Sequence, residues 1–377
     1  MQVAFGIVRL FPEGGLQRDC MRLARLLLQR GHQVTIFAAE NRYELPNDLA
    51  LTLLPVGAVT NHGRDWAFAK KFAVAAAGRF DRIVGFNKLV GLDIFYCADP
   101  PLEDRRRGFW QRALPRYRTR LKLEGECFGP RSSTHIIALT QASVQSYRRH
   151  WGLGAERFTV IPPGIDVDRR HSELRQGDKR NALRAALALP PDRPVWLWVG
   201  AQPDTKGLDR VLTAMLGQPA AMLLVVGVAA NGAGRQAAAQ AQRIGVADRV
   251  RFFGYREDVP NFFAAADLLV HPSRLDVTGQ VILEAMVNGL PVVVSGCCGF
   301  AEHVRAANAG IVLPEPFAPS DLAAALARAA EPELAAAFSR NGIDYGRNAV
   351  PFDGLTVAAD VIEKSVAVEK VSPLPGA

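Results

Sequence analysis

The sequence predicts an α/β protein of two domains, each built on a parallel sheet with helices on its faces. Short apolar strands alternate with amphipathic helices through both halves of the chain, which is typical of parallel strands joined by crossover helices. The 377 residues are 49% hydrophobic and 22% charged, so the chain is long enough to bury two cores. Residues 162–180, rich in proline, glycine and charge, lie between the halves and are predicted to form the linker.

Composition limits the classes of protein and partner. No apolar run reaches the roughly 18 residues of a membrane span, and the N-terminus lacks a secretory signal pattern, so we expect a cytosolic protein. The five cysteines include no Cys-x-x-Cys pair, which indicates free thiols. The formal charge of +8 indicates an anionic partner such as a phosphorylated glycan, an anionic lipid or a nucleic acid. Nucleic acid is the least favoured, because no nucleic-acid-binding motif is present.

The first half is predicted to alternate strands and helices. The strands are 2–9, 31–38, 51–55, 82–86, 134–139 and 158–161, and the helices are 16–30, 67–80 and 141–151. Gly14 and Gly15 follow the first strand, and adjacent glycines let the backbone approach a ligand closely. Arg18 and Asp19 lie in the next helical turn. An ordinary tight turn is the alternative, and the missing G-x-G-x-x-G spacing disfavours a dinucleotide-binding dehydrogenase.

Two further polar loops, 60–64 and 86–93, lie near the carboxyl ends of predicted strands, where open α/β sheets bind ligands. They make candidate ligand-binding residues of Asn61, His62, Asn87 and Lys88, to which we add Asp99. A histidine alone in a loop is more often a surface residue than a catalyst.

The second half repeats the alternation. Its predicted strands are 195–199, 222–226, 250–253, 267–270 and 291–294. Four helices are predicted between and after them: one that begins at 207, one that ends at 244, one at 260–265 and one at 279–289. Thr278 and Gly279 open the last of these helices, so the backbone N–H groups of Gly279, Gln280 and Val281 are candidates for holding a phosphate.

Two carboxylates, Asp276 and Glu284, flank this predicted anion site. An acceptor on each side of a phosphate-binding group suits a ligand with hydroxyls on both sides of a diphosphate, as in a sugar nucleotide. The alternative is a surface helix with a solvated Glu284.

The spacing of Asp276 and Glu284 resembles the E-x7-E segment of the retaining GT-B glycosyltransferases of family GT4, with Asp276 in place of the first Glu. The resemblance implies a GT-B fold, two Rossmann-like domains with parallel sheets facing a deep interdomain cleft. The acceptor domain would span 1–165 and the donor domain 166–349, with a C-terminal helix at about 350–367 packing back on the first. In that family the first carboxylate contacts hydroxyls of the donor hexose and the second holds the donor ribose.

Several short segments, in order along the chain, resemble the lipopolysaccharide core glucosyltransferases of this family. They are Gly-Gly-Leu-Gln-Arg-Asp (14–19), Asn-His (61–62), Phe-Asn-Lys (86–88), Pro-Pro-Gly-Ile (162–165) and Lys-Gly-Leu-Asp-Arg (206–210). The resemblance implies transfer of glucose from UDP-glucose to a heptose of the inner core. It also implies that Lys206 and Arg169 neutralise the diphosphate, although Gln202 stands where many relatives carry Arg.

The resemblance assigns roles residue by residue. The catalytic candidates are Asp19, Lys206, Arg169 and Asp276, and the donor-binding candidates are Gly14, Gly15, Lys206, Arg169, Arg256, Asp276, Thr278, Gly279, Gln280, Val281 and Glu284. The acceptor-binding candidates are Arg18, Asn61, His62, Asn87, Lys88 and Asp99. Asp19 is expected to orient or deprotonate the acceptor, unless the β-phosphate of the donor takes that proton. No metal or cofactor is expected, because Lys206, Arg169 and a helix N-terminus would stabilise the leaving diphosphate.

The segment 104–128 has the most unusual composition of the chain. Eight Arg or Lys residues and no acid lie between Arg105 and Lys122, interleaved with aromatic and leucine side chains. Such a segment suits an anionic membrane surface or the phosphates of a lipid A–core acceptor. The candidate contacts are Arg105, Arg106, Arg107, Trp110, Arg112, Arg116, Tyr117 and Arg118. The alternative is a helix whose aromatic side chains pack on the domain, and Pro115 would break or start a helix here.

We therefore predict a glycosyltransferase that is peripheral on the cytoplasmic face of the inner membrane. Two alternatives stay open: a GT-B enzyme with another UDP-sugar or glycan acceptor, and a non-catalytic GT-B protein that binds membranes or polyanions.

Overall fold

The computed structural model describes residues 1–12, 14–105, 108–348 and 352–364. The chain divides into two compact units: the first comprises Met1–Pro162 and the segment that begins at Asp353, and the second is Pro163–Phe352. The predicted linker, 162–180, is not a separate segment. Its residues from Pro163 onward belong to the second unit, because Ile165 is buried in the core of that unit.

The first unit contains a parallel sheet of seven strands in the order β3-β2-β1-β4-β5-β6-β7. The strands are β1 (Gln2–Leu10), β2 (Gln33–Asn41), β3 (Ala50–Leu53), β4 (Arg82–Gly85), β5 (Ile94–Cys97), β6 (His135–Ala138) and β7 (Phe158–Val160). The helices are α1 (Gly15–Gln29), α2 (Asn61–Ala76), α3 (Pro115–Phe128) and α4 (Gln141–Trp151). Most of β1 is buried because helices cover both faces of the sheet, which explains its nearly continuous apolar sequence.

The second unit contains a parallel sheet of six strands in the order β10-β9-β8-β11-β12-β13. The strands are β8 (Val195–Val199), β9 (Met222–Val226), β10 (Val250–Phe252), β11 (Leu268–His271), β12 (Val292–Ser295) and β13 (Gly310–Leu313). The helices are α5 (Gly177–Ala186), α6 (Leu208–Ala214), α7 (Arg235–Arg243), α8 (Val259–Ala265), α9 (Gln280–Val287), α10 (Ala301–Ala307), α11 (Pro319–Ala329) and α12 (Pro332–Asn348). Two parallel sheets with crossover helices confirm the predicted α/β class.

The last described helix, α13 (Gly354–Lys364), packs on the first unit. Ala358, Ala359 and Ile362 are buried in the core of that unit. On the polar side, Arg30, the residue that follows α1, forms ion pairs of 2.7 and 2.8 Å with Asp360 and Glu363. The helix predicted at about 350–367 corresponds to α13 within the described residues.

One local prediction was wrong. Residues 60–64 are not a loop: Thr60 caps α2, its hydroxyl accepting the Gly63 N–H at 3.2 Å, so Asn61 and His62 lie in the first helical turn. In the basic segment, the prediction that Pro115 would break or start a helix is confirmed. Short 3-10 helices at Glu103–Arg105 and Phe109–Ala113 precede α3, which begins at Pro115 because a proline needs no N–H partner there. Within the described part of the chain, no helix has the length and apolar character to cross a membrane.

Candidate active site

The centre of the candidate site is a cluster of three charged or polar side chains in the second unit, Lys206, His271 and Asp276, here named the Lys206 cluster. Lys206 lies in the turn that precedes α6, and His271 is the last residue of β11. The Nζ of Lys206 lies 2.5 Å from Oδ2 of Asp276, and Nε2 of His271 lies 2.9 Å from the same oxygen. Loops that follow neighbouring parallel strands thus bring these side chains to one edge of the sheet.

The second oxygen of the Asp276 carboxylate holds the start of α9. Oδ1 accepts the N–H of Gly279 at 2.9 Å. Gly279 has a φ of 76°, in the left-handed region that favours glycine, and a Cβ there would lie 2.6 Å from the Ile282 side chain. The Gly279 N–H therefore has an acceptor in Asp276, and its role toward a phosphate stays a prediction.

The other residues predicted to bind the donor at the start of α9 are Thr278, Gln280 and Val281. No acceptor lies near the backbone N–H groups of Gln280 and Val281 among the residues that the structure describes, so both can still bind an anion. The side-chain amide of Gln280 donates to the carbonyl oxygen of Gly164 at 2.5 Å. The carbonyl oxygen of Thr278 accepts the Phe300 N–H at 2.7 Å.

Asp276 is strongly held in its ionised form. Burial would by itself raise the pKa of this carboxyl, but the hydrogen bond from His271 and the charge of Lys206 hold the pKa well below its usual range. Only 8% of the side chain is exposed. Sequence reasoning gave Asp276 a role toward the donor hexose, and it missed that the carboxylate also fixes the Lys206 ammonium.

A buried asparagine joins two of the predicted donor residues. The Nδ2 of Asn288 donates to the carbonyl oxygens of Arg169 at 2.6 Å and of Glu284 at 2.7 Å, and its Oδ1 accepts the His171 N–H at 2.5 Å. These bonds tie the turn that carries Arg169 to the end of α9, where Glu284 is buried. Sequence reasoning missed Asn288, because an asparagine before Gly289 indicates only the end of a helix.

We expect the substitution Asn288→Ala to lower the free energy of unfolding by about 1–3 kcal/mol, because it leaves buried backbone groups without partners. Urea unfolding measures this change. The control is Asn341→Ala, which removes one exposed hydrogen bond to Asn308 and is expected to change stability by less than about 0.5 kcal/mol. Equal stabilities of the two variants would contradict the anchoring role of Asn288.

Four other predicted residues belong to other elements of the fold. Gly14 and Gly15 stand at the start of α1, and Asp19 in that helix accepts a 3.0 Å hydrogen bond from the hydroxyl of Tyr96. Arg256, predicted near the nucleobase, forms a two-point ion pair with Asp258 at 2.7 and 2.8 Å. This pair is exposed, and the guanidinium of Arg256 lies over the ring of Phe262.

The first unit contains a polar pocket of about 340 Å³, here named the first-unit pocket. It brings together five predicted residues with four charged residues that the prediction missed. The predicted ones are Asn61, Asn87, Lys88, Asp99 and Arg105, and the missed ones are Arg9, Asp65, Arg120 and Glu124. Arg18 and His62 do not line it.

Opposite charges are paired around this pocket. Lys88 contacts Glu124 at 2.5 Å, and Arg105 contacts Asp99 at 2.6 Å. Burial raises the pKa of Asp65, against the opposing charges of Arg120 and Arg9. The pocket therefore offers donors and acceptors of both signs, which suits a polyhydroxylated and charged ligand.

The predicted membrane segment divides into two kinds of residue. Arg112, Arg116 and Arg118 are exposed, and so is Trp110, at 58% of its surface. Tyr117 is buried and its hydroxyl donates to Glu103, so the prediction that it faces a membrane was wrong. Arg106 and Arg107 lie outside the described residues.

Two parallel sheets in separate units, with a lysine and a helix start at the carboxyl edge of the second sheet, agree with the GT-B glycosyltransferase architecture that the sequence resemblance implies. Residues 13–169 match the family described as Glycosyltransferase Family 4, and residues 179–345 match Glycosyl transferases group 1. The chain is 34% identical over 374 residues to lipopolysaccharide glucosyltransferase WaaG of Escherichia coli K12, covering 96% of this chain and 98% of the relative. The chain therefore belongs to the GT4 glycosyltransferase family that contains WaaG.

Solved structures agree. A crystal structure of WaaG superposes with a TM-score of 0.89 at 34% identity, covering 96% of this chain and 100% of the other. Anabaena Alr3699/HepE, solved in complex with UDP-glucose, superposes with a TM-score of 0.74 at 21% identity, covering 97% of this chain and 100% of the other, and shows the shared fold. The predicted family, GT-B fold and enzyme class are confirmed.

Proposed function

We propose that this glycosyltransferase moves glucose from UDP-glucose to a heptose of the lipopolysaccharide inner core, with retention of anomeric configuration. The observation that carries the proposal is the Lys206 cluster at the start of α9, in a chain 34% identical over nearly its whole length to a lipopolysaccharide glucosyltransferase. We propose that the enzyme works at the cytoplasmic face of the inner membrane.

In the proposed mechanism the second unit stabilises the leaving diphosphate. Asp276, which is itself bonded to His271, holds the Lys206 ammonium in place, so little reorganisation is needed when negative charge develops on the diphosphate. The backbone N–H groups of Gln280 and Val281 add the positive end of α9. Many relatives carry an Arg at the position of Gln202, and we propose that Arg169 supplies the positive charge that this position lacks here.

The sugars at the two ends of the diphosphate are assigned to carboxylates. Glu284 is proposed to hold the donor ribose, and Asp276 to contact the hexose. The acceptor oxygen attacks the anomeric carbon on the face from which UDP leaves, and its proton passes to the β-phosphate. In the first unit, Asp19 is proposed to orient the acceptor, and the first-unit pocket to bind its charged core sugars.

The proposed reaction needs no metal, because the cations of the protein take the electrophilic role. The chain does contain an Asp-x-Asp sequence, Asp166 to Asp168. Among the described residues, no histidine, cysteine or third carboxylate joins these two in a group that could hold a metal ion. We expect turnover to be unchanged by a chelator such as EDTA.

A transfer assay tests the proposal. Purified protein is incubated with UDP-glucose, UDP-galactose or UDP-N-acetylglucosamine, with lipopolysaccharide whose core ends at heptose. We expect mass spectrometry to show that one glucose has been added to the acceptor. We also expect UDP release to depend on that acceptor. Preferred transfer from another donor would support the alternative enzyme, whereas no UDP release with any donor would support a non-catalytic protein.

We further propose that the exposed basic surface of 112–118 contacts anionic lipid. Replacing Arg112, Arg116 and Arg118 by Ser should weaken binding to phosphatidylglycerol vesicles about a hundredfold, at about 1 kcal/mol per arginine. Binding is measured by co-sedimentation at fixed salt. The control replaces Arg235, Arg243 and Arg328 by Ser, which removes the same charge from exposed positions of the second unit. Equal weakening of the two variants would mean that net charge alone, and no particular surface, binds the vesicles.

A further inference from the structure

Three side chains in and beside the Lys206 cluster form a group that could hold a metal ion, a role that the proposed glycosyltransferase reaction does not use. His271, Asp276 and Cys298 each offer one ligand atom, and these atoms all lie within 4.8 Å of one another. An imidazole, a carboxylate and a thiolate are common ligands of Zn²⁺ in proteins, where three protein ligands and one open position are typical of accessible sites.

The fold holds the three side chains together. Asp276 and Cys298 are partners in an isolated parallel β-bridge, and Nε2 of His271 lies 2.9 Å from Oδ2 of Asp276. His271 and Cys298 are buried, at 1% and 3% exposure, so the ligand atoms face one another in a site of low water content. In a tetrahedral zinc site with bonds of about 2.0–2.3 Å, the ligand atoms lie within about 4 Å of one another. Side-chain movements of about 1 Å therefore bring the three ligand atoms to bonding distance from one ion.

We propose that this group of His271, Asp276 and Cys298 binds a thiophilic divalent cation of the Zn²⁺ type, in competition with the Lys206 ammonium for the Asp276 carboxylate. Nζ of Lys206 lies 2.5 Å from Oδ2 of Asp276, and a divalent cation bound to that carboxylate repels the ammonium. The metal therefore displaces the ammonium, and the thiol of Cys298 gives its proton to solvent as the metal–sulfur bond forms.

This binding would inhibit the enzyme rather than assist it, because it removes Lys206 from the position in which Asp276 holds it. The inhibitory consequence rests on the proposed function. Metal binding itself does not, and the test below measures binding alone.

The neighbouring thiol provides a matched control. Cys297 also carries a free thiol, but its sulfur donates to the carbonyl oxygen of Ser273 at 3.0 Å and does not belong to the ligand group. The substitutions Cys297→Ser and Cys298→Ser change the same chemistry at adjacent positions, and only the second should remove a ligand.

The test is a titration of the full chain with Co²⁺, followed by the visible spectrum and by the thiolate-to-cobalt charge-transfer absorption in the near ultraviolet. We expect one tightly bound cobalt per chain with a charge-transfer band, displaced by Zn²⁺. The band should persist in Cys297→Ser and disappear in Cys298→Ser, with at least a tenfold loss of affinity. Lys206→Met should increase the affinity, because the competing ammonium is gone.

Absence of the charge-transfer band in the wild-type chain would overturn the proposal. So would a band that survives in Cys298→Ser, since it would place the metal at another thiol. Circular dichroism of each variant shows whether it is folded. If Cys298→Ser fails to fold, Cys298→Ala takes its place, and an unchanged or lowered affinity in Lys206→Met would still contradict the proposal.

Discussion

Replacing Lys206 by alanine is expected to lower kcat/KM by about 10²–10³-fold, because a preorganised cation at the leaving diphosphate contributes about 2.7–4 kcal/mol to transition-state stabilisation. The measurement is the initial rate of UDP release with UDP-glucose and a heptose-ended acceptor. Lys206→Arg should retain part of the rate, since it keeps the charge but changes its position. A wild-type rate in Lys206→Ala would contradict the role of Lys206.

The same substitution also affects folding, and a double variant separates the two effects. Without Lys206, the partners that the buried carboxylate of Asp276 keeps among the described residues are His271 and the Gly279 N–H, so stability falls. Adding Asp276→Asn removes the unpaired charge and should restore part of the stability. It should not restore the rate. If the double variant regained wild-type turnover, the loss in Lys206→Ala would be structural and not catalytic.

Replacing Glu124 by alanine is expected to give the largest loss of stability in the first unit, about 3–5 kcal/mol. The carboxylate is 1% exposed and contacts Lys88 at 2.5 Å, so its removal leaves a largely buried ammonium without its anion. It also accepts the N–H of Leu102 at 3.0 Å and the indole N–H of Trp151 at 2.9 Å. Two partly buried donors lose their acceptor in the same substitution, each at up to about 1–3 kcal/mol.

Urea unfolding measures this loss, and α3 offers a matched control. Glu126 lies two residues further along the helix and forms no recorded ion pair among the described residues, so Glu126→Ala should change stability by less than about 0.5 kcal/mol. Glu124→Gln keeps most of the volume and one acceptor but not the charge, and should fall between the two. Equal urea midpoints for Glu124→Ala and Glu126→Ala would show that the buried pair does not stabilise the unit.

Short-range features of the fold were predictable from local sequence. The strands β8 and β9 have the predicted bounds, because each is an apolar run bordered by residues that end a strand. Helix α4 also has its predicted bounds, since Thr140 caps its start and Gly152 ends it in the left-handed region. In these elements, local preference and tertiary packing favour the same structure.

The missed elements depend on partners that are distant in sequence. Strand β5 is only four residues long and was not predicted, because its extended structure comes from pairing with β4 and β6. No element was predicted between 304 and 351 either, although the buried residues of α11, which are Leu322, Ala325, Leu326 and Ala329, recur at helical spacing.

The candidate site was predicted only in part, because some of its contacts are local and others join residues that are distant in sequence. The E-x7-E-like spacing located Asp276 and Glu284, because both belong to one local segment. The contact of Lys206 with Asp276 and that of Lys88 with Glu124 join separate elements, so only the folded chain shows them. The role of Asn288 was missed because its partners, Arg169 and His171, come from the segment predicted to be a linker.

The central claim is that Lys206 binds the diphosphate of the donor, and calorimetric titration of UDP tests it most directly. In Lys206→Met we expect UDP to bind about 10–100-fold more weakly, since a hydrogen bond to a charged group contributes about 1.5–3 kcal/mol. Lys179→Met removes an exposed lysine from α5 of the same unit and should leave the affinity unchanged. Equal affinity of the wild-type chain and Lys206→Met for UDP would contradict the account.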